Sequence, residues 1–179
     1  MIKSVKPYFD VLLFMIITIV VHKLWWYNAG MLYAFPPFVA ISKFLSHEVF
    51  LKSSWINMHI LGMNMQMAAD NVMIFVKNNR SIIIEESCSG FKQMIQILIL
   101  FILFPGQWKH KLWFIPACMA TMFLVNIFRV IALSYAMILQ PEHWDFIHLW
   151  IMRPFYYLVI FLMWVVWVSR FRAKPAKVS

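Results

Sequence analysis

MLYAFPPFVAISKFLSHEVF, residues 31–50 of the 179-residue chain, decides how everything after it is oriented. It is apolar enough to invite a membrane span. Pro36-Pro37, followed by Lys43, His47 and Glu48, interrupts both the helix and the apolar length. We read it as an amphipathic segment lying in the membrane interface. One crossing then precedes Cys88 and the thiol opens outside the cell; a second crossing would move it to the cytoplasm.

Outward from that stretch the chain is built for lipid. It is 63% hydrophobic and 13% charged, with 17 Phe and 9 Trp, where soluble domains run near one half and about one quarter. The reading is an all-α integral membrane protein of about four transmembrane helices. The spans fall at about 8–27, 88–104, 112–139 and 148–169, forming a single membrane domain, with 28–87 extracytoplasmic. Trp25, Trp26 and Tyr27 close the first span as an interfacial belt. No small-x-small cleavage site follows its apolar core, so it reads as a retained anchor rather than a signal peptide. Ahead of the second span, Val72–Val76 and Ile82–Ile84 flank Lys77-Asn78-Asn79-Arg80, the pattern of a β-hairpin. Pro105-Gly106 stops the second span, and Gln140 to Ile147 reads as a polar loop before the last.

The net charge of +9 is distributed as a membrane protein distributes it. Lys3 and Lys6 precede the first apolar run, Lys109 and Lys111 sit in a short connector, and Arg170, Arg172, Lys174 and Lys177 follow the last run. Alternation of basic clusters with apolar segments places those clusters, and both termini, on the cytoplasmic side. A nucleic-acid face would need its basic residues gathered on one solvated surface, so nucleic acid is not an expected partner.

Depth arithmetic then brings three polar residues together. Cys88 lies about 17 residues, or ~25 Å of helix, before the inner connector at Pro105. Arg129 lies about 17 residues beyond Leu112, where the next span leaves that connector. His148 opens the last span roughly 22 residues before Arg170. All three sit at the outer headgroup level. Singly, each has an ordinary explanation: a small packing residue, a snorkelling arginine, an interfacial histidine. Jointly they form a constellation. Ser87 reads as an N-cap that puts Cys88 in the first turn of its helix, where the dipole favours a thiolate. Lys92 and Gln96 continue a polar stripe at i+4 and i+8. Cys118, about 16 Å deeper, is out of disulfide reach. No His, Cys or carboxylate spacing calls for a metal, and no cofactor is expected.

At this point the residues resemble a known family. Glu86-Ser87-Cys88-Ser89-Gly90 is similar to the E-x-C-S-G signature of the exosortases and archaeosortases, and Asn126-Ile127-Phe128-Arg129 to their N-x-x-R helix. His148 falls where exosortases carry a third catalytic residue; archaeosortases carry an arginine there, and Arg153 is close by. The resemblance covers about residues 62–155, and the small number of spans matches the compact branch of the family. It implies a membrane cysteine transpeptidase or protease in the inner membrane of a prokaryote. Its substrates would be C-terminal sorting signals of exported, membrane-anchored precursors, released to water, a lipid or a glycan. In that scheme Cys88 is the nucleophile, Arg129 stabilises the oxyanion and His148 moves the proton, while Glu86, Ser89, Asn126 and Lys92 support the site or bind substrate.

A different class of reading is a non-enzymatic transport or exopolysaccharide-assembly component, with the polar stripe facing Arg129 to line a pore or bind a headgroup. Thiol chemistry separates the two. A membrane-impermeant alkylating reagent should modify Cys88 rapidly from outside intact cells while sparing Cys118; an unreactive Cys88 would favour the non-enzymatic reading.

Overall fold

The computed structural model describes residues 6–171 apart from Tyr33. Lys3, Arg172, Lys174 and Lys177 of the orientation reading lie outside the described residues. Helix α1 (Lys6–Tyr27) exposes Leu12, Ile16, Ile19, Val20 and Leu24. Such a surface is tolerated by lipid and not by water. After the short α2 (Ala29–Leu32) comes α3 (Pro36–His59). Three antiparallel strands follow: β1 (Met65–Ala68), β2 (Val72–Phe75) and β3 (Arg80–Ile83), in that spatial order. The chain then enters α4 (Phe91–Leu103) and α5 (Trp108–Leu139). It turns through a 3₁₀ stretch at Pro141–His143 into α6 (Trp144–Phe146), a π-helical stretch at Ile147–Met152 and α7 (Arg153–Arg170).

Three of these helical stretches, Tyr8–Tyr27, Trp108–Leu139 and Pro141–Arg170, are long and apolar enough to cross a membrane. The expected span at 88–104 is the shorter apolar helix α4, 13 residues long. At 1.5 Å per residue it covers only about 20 Å of a hydrocarbon core near 30 Å. The span count is therefore about three, with a fourth apolar helix in the bundle.

Two further expectations need correcting. Pro36-Pro37 does not interrupt a helix: the two prolines occupy its first positions, where a missing N–H costs nothing, and α3 runs unbroken for 24 residues. Its buried face carries Ser42, Ser46, Ser53, Ser54 and Asn57 beside Val49 and Phe50. Small side chains allow close approach to α5, against which α3 packs. Ser42, Ser46 and Ser53 return their hydroxyls to the carbonyls of Val39, Lys43 and Val49, which offsets their burial. The polar loop at 140–147 is likewise mostly helical, since Pro141 starts a new turn as soon as Gln140 ends α5.

The hairpin is present with strands at Val72–Phe75 and Arg80–Ile83, and Asn79 takes the positive φ its turn requires. The sequence reading omitted β1. Met65–Ala68 joins through a second turn in which Asp70 and Asn71 both have positive φ.

The molecule has two cores. One joins Phe14 and Ile17 of α1, Ile97 to Phe104 of α4, Phe114 to Met122 of α5, and Ile160, Trp164 and Trp167 of α7. The other joins Val49 and Phe50 of α3, the sheet residues Met65, Met73, Phe75 and Ile82, and Ile127, Val130 and Met137 of α5. The length of α5 makes this possible: 32 residues reach about 48 Å, so one helix serves the bundle and then supports the cap. Trp167 donates through Nε1 to the Pro105 carbonyl at 3.1 Å, and its ring lies where a Cβ on Gly106 would have to go. The α4–α5 turn is thereby locked to the end of α7.

Phe75 is fully buried in the cap core, whereas its neighbour Val76 is 48% exposed. Phe75→Ala should destabilise by about 3–5 kcal/mol, as for large core truncations, and Val76→Ala by under about 0.5 kcal/mol. Thermal unfolding in detergent measures the difference, and equal effects would contradict a packed cap.

Candidate active site

The Glu86–Gly90 segment is not the helix start that its sequence suggests. Glu86–Cys88 forms a 3₁₀ turn, and α4 begins only at Phe91, with Gly90 at its N-cap in the left-handed region at φ 78°. Ser89, not Ser87, supplies a local hydroxyl acceptor, taking the Phe91 N–H at 3.2 Å. Cys88 therefore stands before the helix rather than in its first turn, and the i, i+4, i+8 stripe dissolves. Lys92 turns to α1, within 3.3 Å of His22 Nδ1 and over the Trp26 ring. Gln96 is buried in the bundle.

Gly90 has a second reason to lack a side chain. A Cβ there would meet the Asn126 side chain at 3.2–3.4 Å. Through that gap Asn126 Nδ2 donates to the Cys88 carbonyl at 2.6 Å. Its Oδ1 accepts from the Tyr156 hydroxyl. That hydroxyl oxygen accepts in turn from Arg129 Nη1 at 3.4 Å, and Arg129 Nη2 lies 2.5 Å from His148 Nε2. A guanidinium only donates, so Nε2 is the acceptor and the ring proton sits on Nδ1. One continuous chain of polar contacts thus links Cys88, Asn126, Tyr156, Arg129 and His148.

Cys88, Arg129 and His148 line a single cavity of about 190 Å³, closed by Ser81 to Ile84 of the sheet side and by Val130, Leu133, Met137 and Trp144. Cys88 is half-buried with a free thiol, and Ser87 Oγ is 3.9 Å from its sulfur. Arg129 is only 9% exposed, and its Nε has no hydrogen-bond partner among the described residues. His148 lies in the π-helical stretch and packs against the Trp144 ring at 4.9 Å. Insertion of a wider turn rotates the residues it carries relative to the helix beyond, a device recurrent at functional sites. Arg153, the other candidate for the third position, does not line this cavity and begins α7 as an exposed residue.

Glu86 lies elsewhere. Its carboxylate is 3.8 Å from Lys43 on the rim of an open groove of about 810 Å³, walled by α3, the β1–β2 turn and residues 83–87. Groove and cavity meet at Ile83 and Ile84. Tyr156 is the member of the network that sequence reading missed. The available signal was a phenol in an apolar helix, whose hydroxyl needs a partner when buried.

The family model of the transmembrane exosortases matches residues 8–170. No curated protein and no solved structure matches the chain.

Tyr156 is 3% exposed, so Tyr156→Phe preserves its packing and removes only the hydroxyl between Asn126 and Arg129. Leaving those buried groups short of a partner should cost about 1–3 kcal/mol. Thermal unfolding of Tyr156→Phe beside Asn126→Ala and the double variant should show strong non-additivity; independent effects would mean that the two side chains do not share a network.

Proposed function

The chain belongs to the transmembrane exosortase family, and on that premise we propose that it is a cysteine transpeptidase or protease cutting C-terminal sorting signals of exported proteins. The observation that carries this reading is the convergence of Cys88, Arg129 and His148, from three separate segments, on one cavity. Such a cavity admits a peptide unit and little more, which suits an extended chain and not a folded one.

In the proposed reaction the Cys88 sulfur attacks the scissile carbonyl carbon and forms the C–S bond, and the displaced π electrons make an oxyanion. Arg129 offers its charge and its unpartnered Nε–H to that oxygen. In the resting site Arg129 also occupies His148 Nε2. As the guanidinium turns to the oxyanion, Nε2 is released to carry the thiol proton. His148 then gives this proton to the departing amine as the C–N bond breaks, leaving a thioester. Water, a lipid or a glycan resolves the thioester, with its own proton passing to the imidazole and on to the thiolate. Asn126 and Tyr156 are positioning residues: they hold the Cys88 carbonyl and the Nη1 side of the guanidinium, about which the rest of the group turns.

Substrate delivery follows the sheet. β3 is an edge strand, and Ser81 to Ile84 line the cavity beside Cys88. An extended peptide lying along that edge from the groove of Glu86 and Lys43 brings its backbone to the thiol. In this scheme Glu86 reads the substrate and Ser89 shapes the turn. The site opens on the extracytoplasmic face of the inner membrane, with both termini in the cytoplasm. A non-enzymatic component would need none of the Arg129–His148 geometry.

Cys88→Ser and Cys88→Ala should leave membrane-bound precursor uncut in cells, and Arg129→Lys should lower processing by about 10²-fold or more, the range for removing one oxyanion donor. Immunoblotting of an exported protein whose size changes on deletion of this chain reads both. Normal processing by either Cys88 variant would end the proposal.

A further inference from the structure

A second polar cluster lies at the same end of the bundle, outside the cavity of Cys88. It is assembled from three helices. The Tyr157 hydroxyl of α7 lies 2.6 Å from His22 Nδ1 of α1, and Lys92 Nζ of α4 lies 3.3 Å from the same nitrogen. The Lys92 ammonium also sits 4.5 Å from the Trp26 ring centroid. Arg153, one turn before Tyr157, is within electrostatic reach of both Tyr157 and Lys92, and Lys23 is within reach of His22. Because an ammonium only donates, Nδ1 accepts from Lys92 and the proton of a neutral His22 ring is on Nε2.

Among the described residues, no carboxylate is paired with this cluster. The ion pairs among the described residues are Lys43–Glu86 and Lys52–Glu48, and neither includes a member of it. Lys92 is half-buried in an apolar bundle, and a second cation is held near enough to act on it. Like charges in such surroundings repel and resist desolvation, so the arrangement calls for a negative partner. Trp25, Trp26 and Tyr27 mark the level as that of the headgroups. The anion available at that level, with several acceptor oxygens for an ammonium, a guanidinium and an imidazole N–H, is a phosphate ester.

We propose that Lys92, Arg153 and His22 bind the phosphate group of an anionic phospholipid headgroup where α1, α4 and α7 meet. Lipid retention tests the proposal without reference to peptide cleavage. The full chain in neutral detergent is titrated with phosphatidylglycerol or phosphatidylcholine, and bound lipid is counted by native mass spectrometry. Wild type should prefer phosphatidylglycerol by about 25-fold, at roughly fivefold for each of two cations at a membrane surface. Lys92→Gln with Arg153→Gln should abolish that preference. Lys77→Gln with Lys109→Gln, which removes the same charge from two exposed sites, should change it less than about twofold. Lys92→Arg keeps the charge and should retain the preference. Inorganic phosphate in a competing arm should not displace the lipid; displacement at matched concentration would assign the site to free phosphate and overturn the lipid source. The site itself is refuted if wild type shows no preference, or if the charge-matched control loses as much as the cluster variant.

Discussion

The Asn126 side chain is the joint on which the rest of the site depends. Its amide nitrogen holds the carbonyl of Cys88, and its amide oxygen receives the hydroxyl of Tyr156. It thereby fastens the turn before α4 and the first turn of α7 to the middle of α5. A buried amide is costly unless its donors and acceptor are used, and only this mutual placement of three segments uses them. Gly90 belongs to the same constraint, because any side chain there would press on Asn126. The glycine that ends the Glu86–Gly90 motif is thus explained by backbone conformation and by the amide above it, with no direct part in chemistry.

The two cores explain why the site lies where it does. The bundle core ends near Met122 on α5, and the cap core begins at Ile127. Asn126 and Arg129 fall at this boundary, between the helical bundle core and the core formed with the sheet and α3. Polar side chains are cheapest to hold at such a seam, where sheet, α3 and helix ends supply partners and a cavity admits a ligand from the side. The long α5 is the common element, and its continuity through both cores keeps the seam rigid.

Arg129 and His148 illustrate how one contact can serve two states. At rest the guanidinium finds an acceptor in the imidazole, which makes its burial tolerable. Its Nε has no hydrogen-bond partner among the described residues, which is the feature that the proposed oxyanion role draws on. The π-helical stretch Ile147–Met152 carries His148 immediately ahead of α7.

Composition and the placement of basic residues determined that this is a helical membrane protein, because lipid and water sort side chains in ways that need no knowledge of contacts. The common level of Cys88, Arg129 and His148 was also legible, since helical rise is constant and the connectors are short. Azimuth was not. A residue advances about 100° around a helix, so placing the start of α4 at Ser87 rather than Gly90 turns every side chain after it. For that reason Lys92 was assigned to the thiol when it faces α1. Whether Pro36-Pro37 breaks a helix or opens one depends equally on the neighbouring fold, as does the partnering of Met65–Ala68 as a strand. Tyr156 could not be placed in the network from sequence. Its hydroxyl acquires a role only when α7 lies against α5, a contact between residues distant in the chain that packing alone decides.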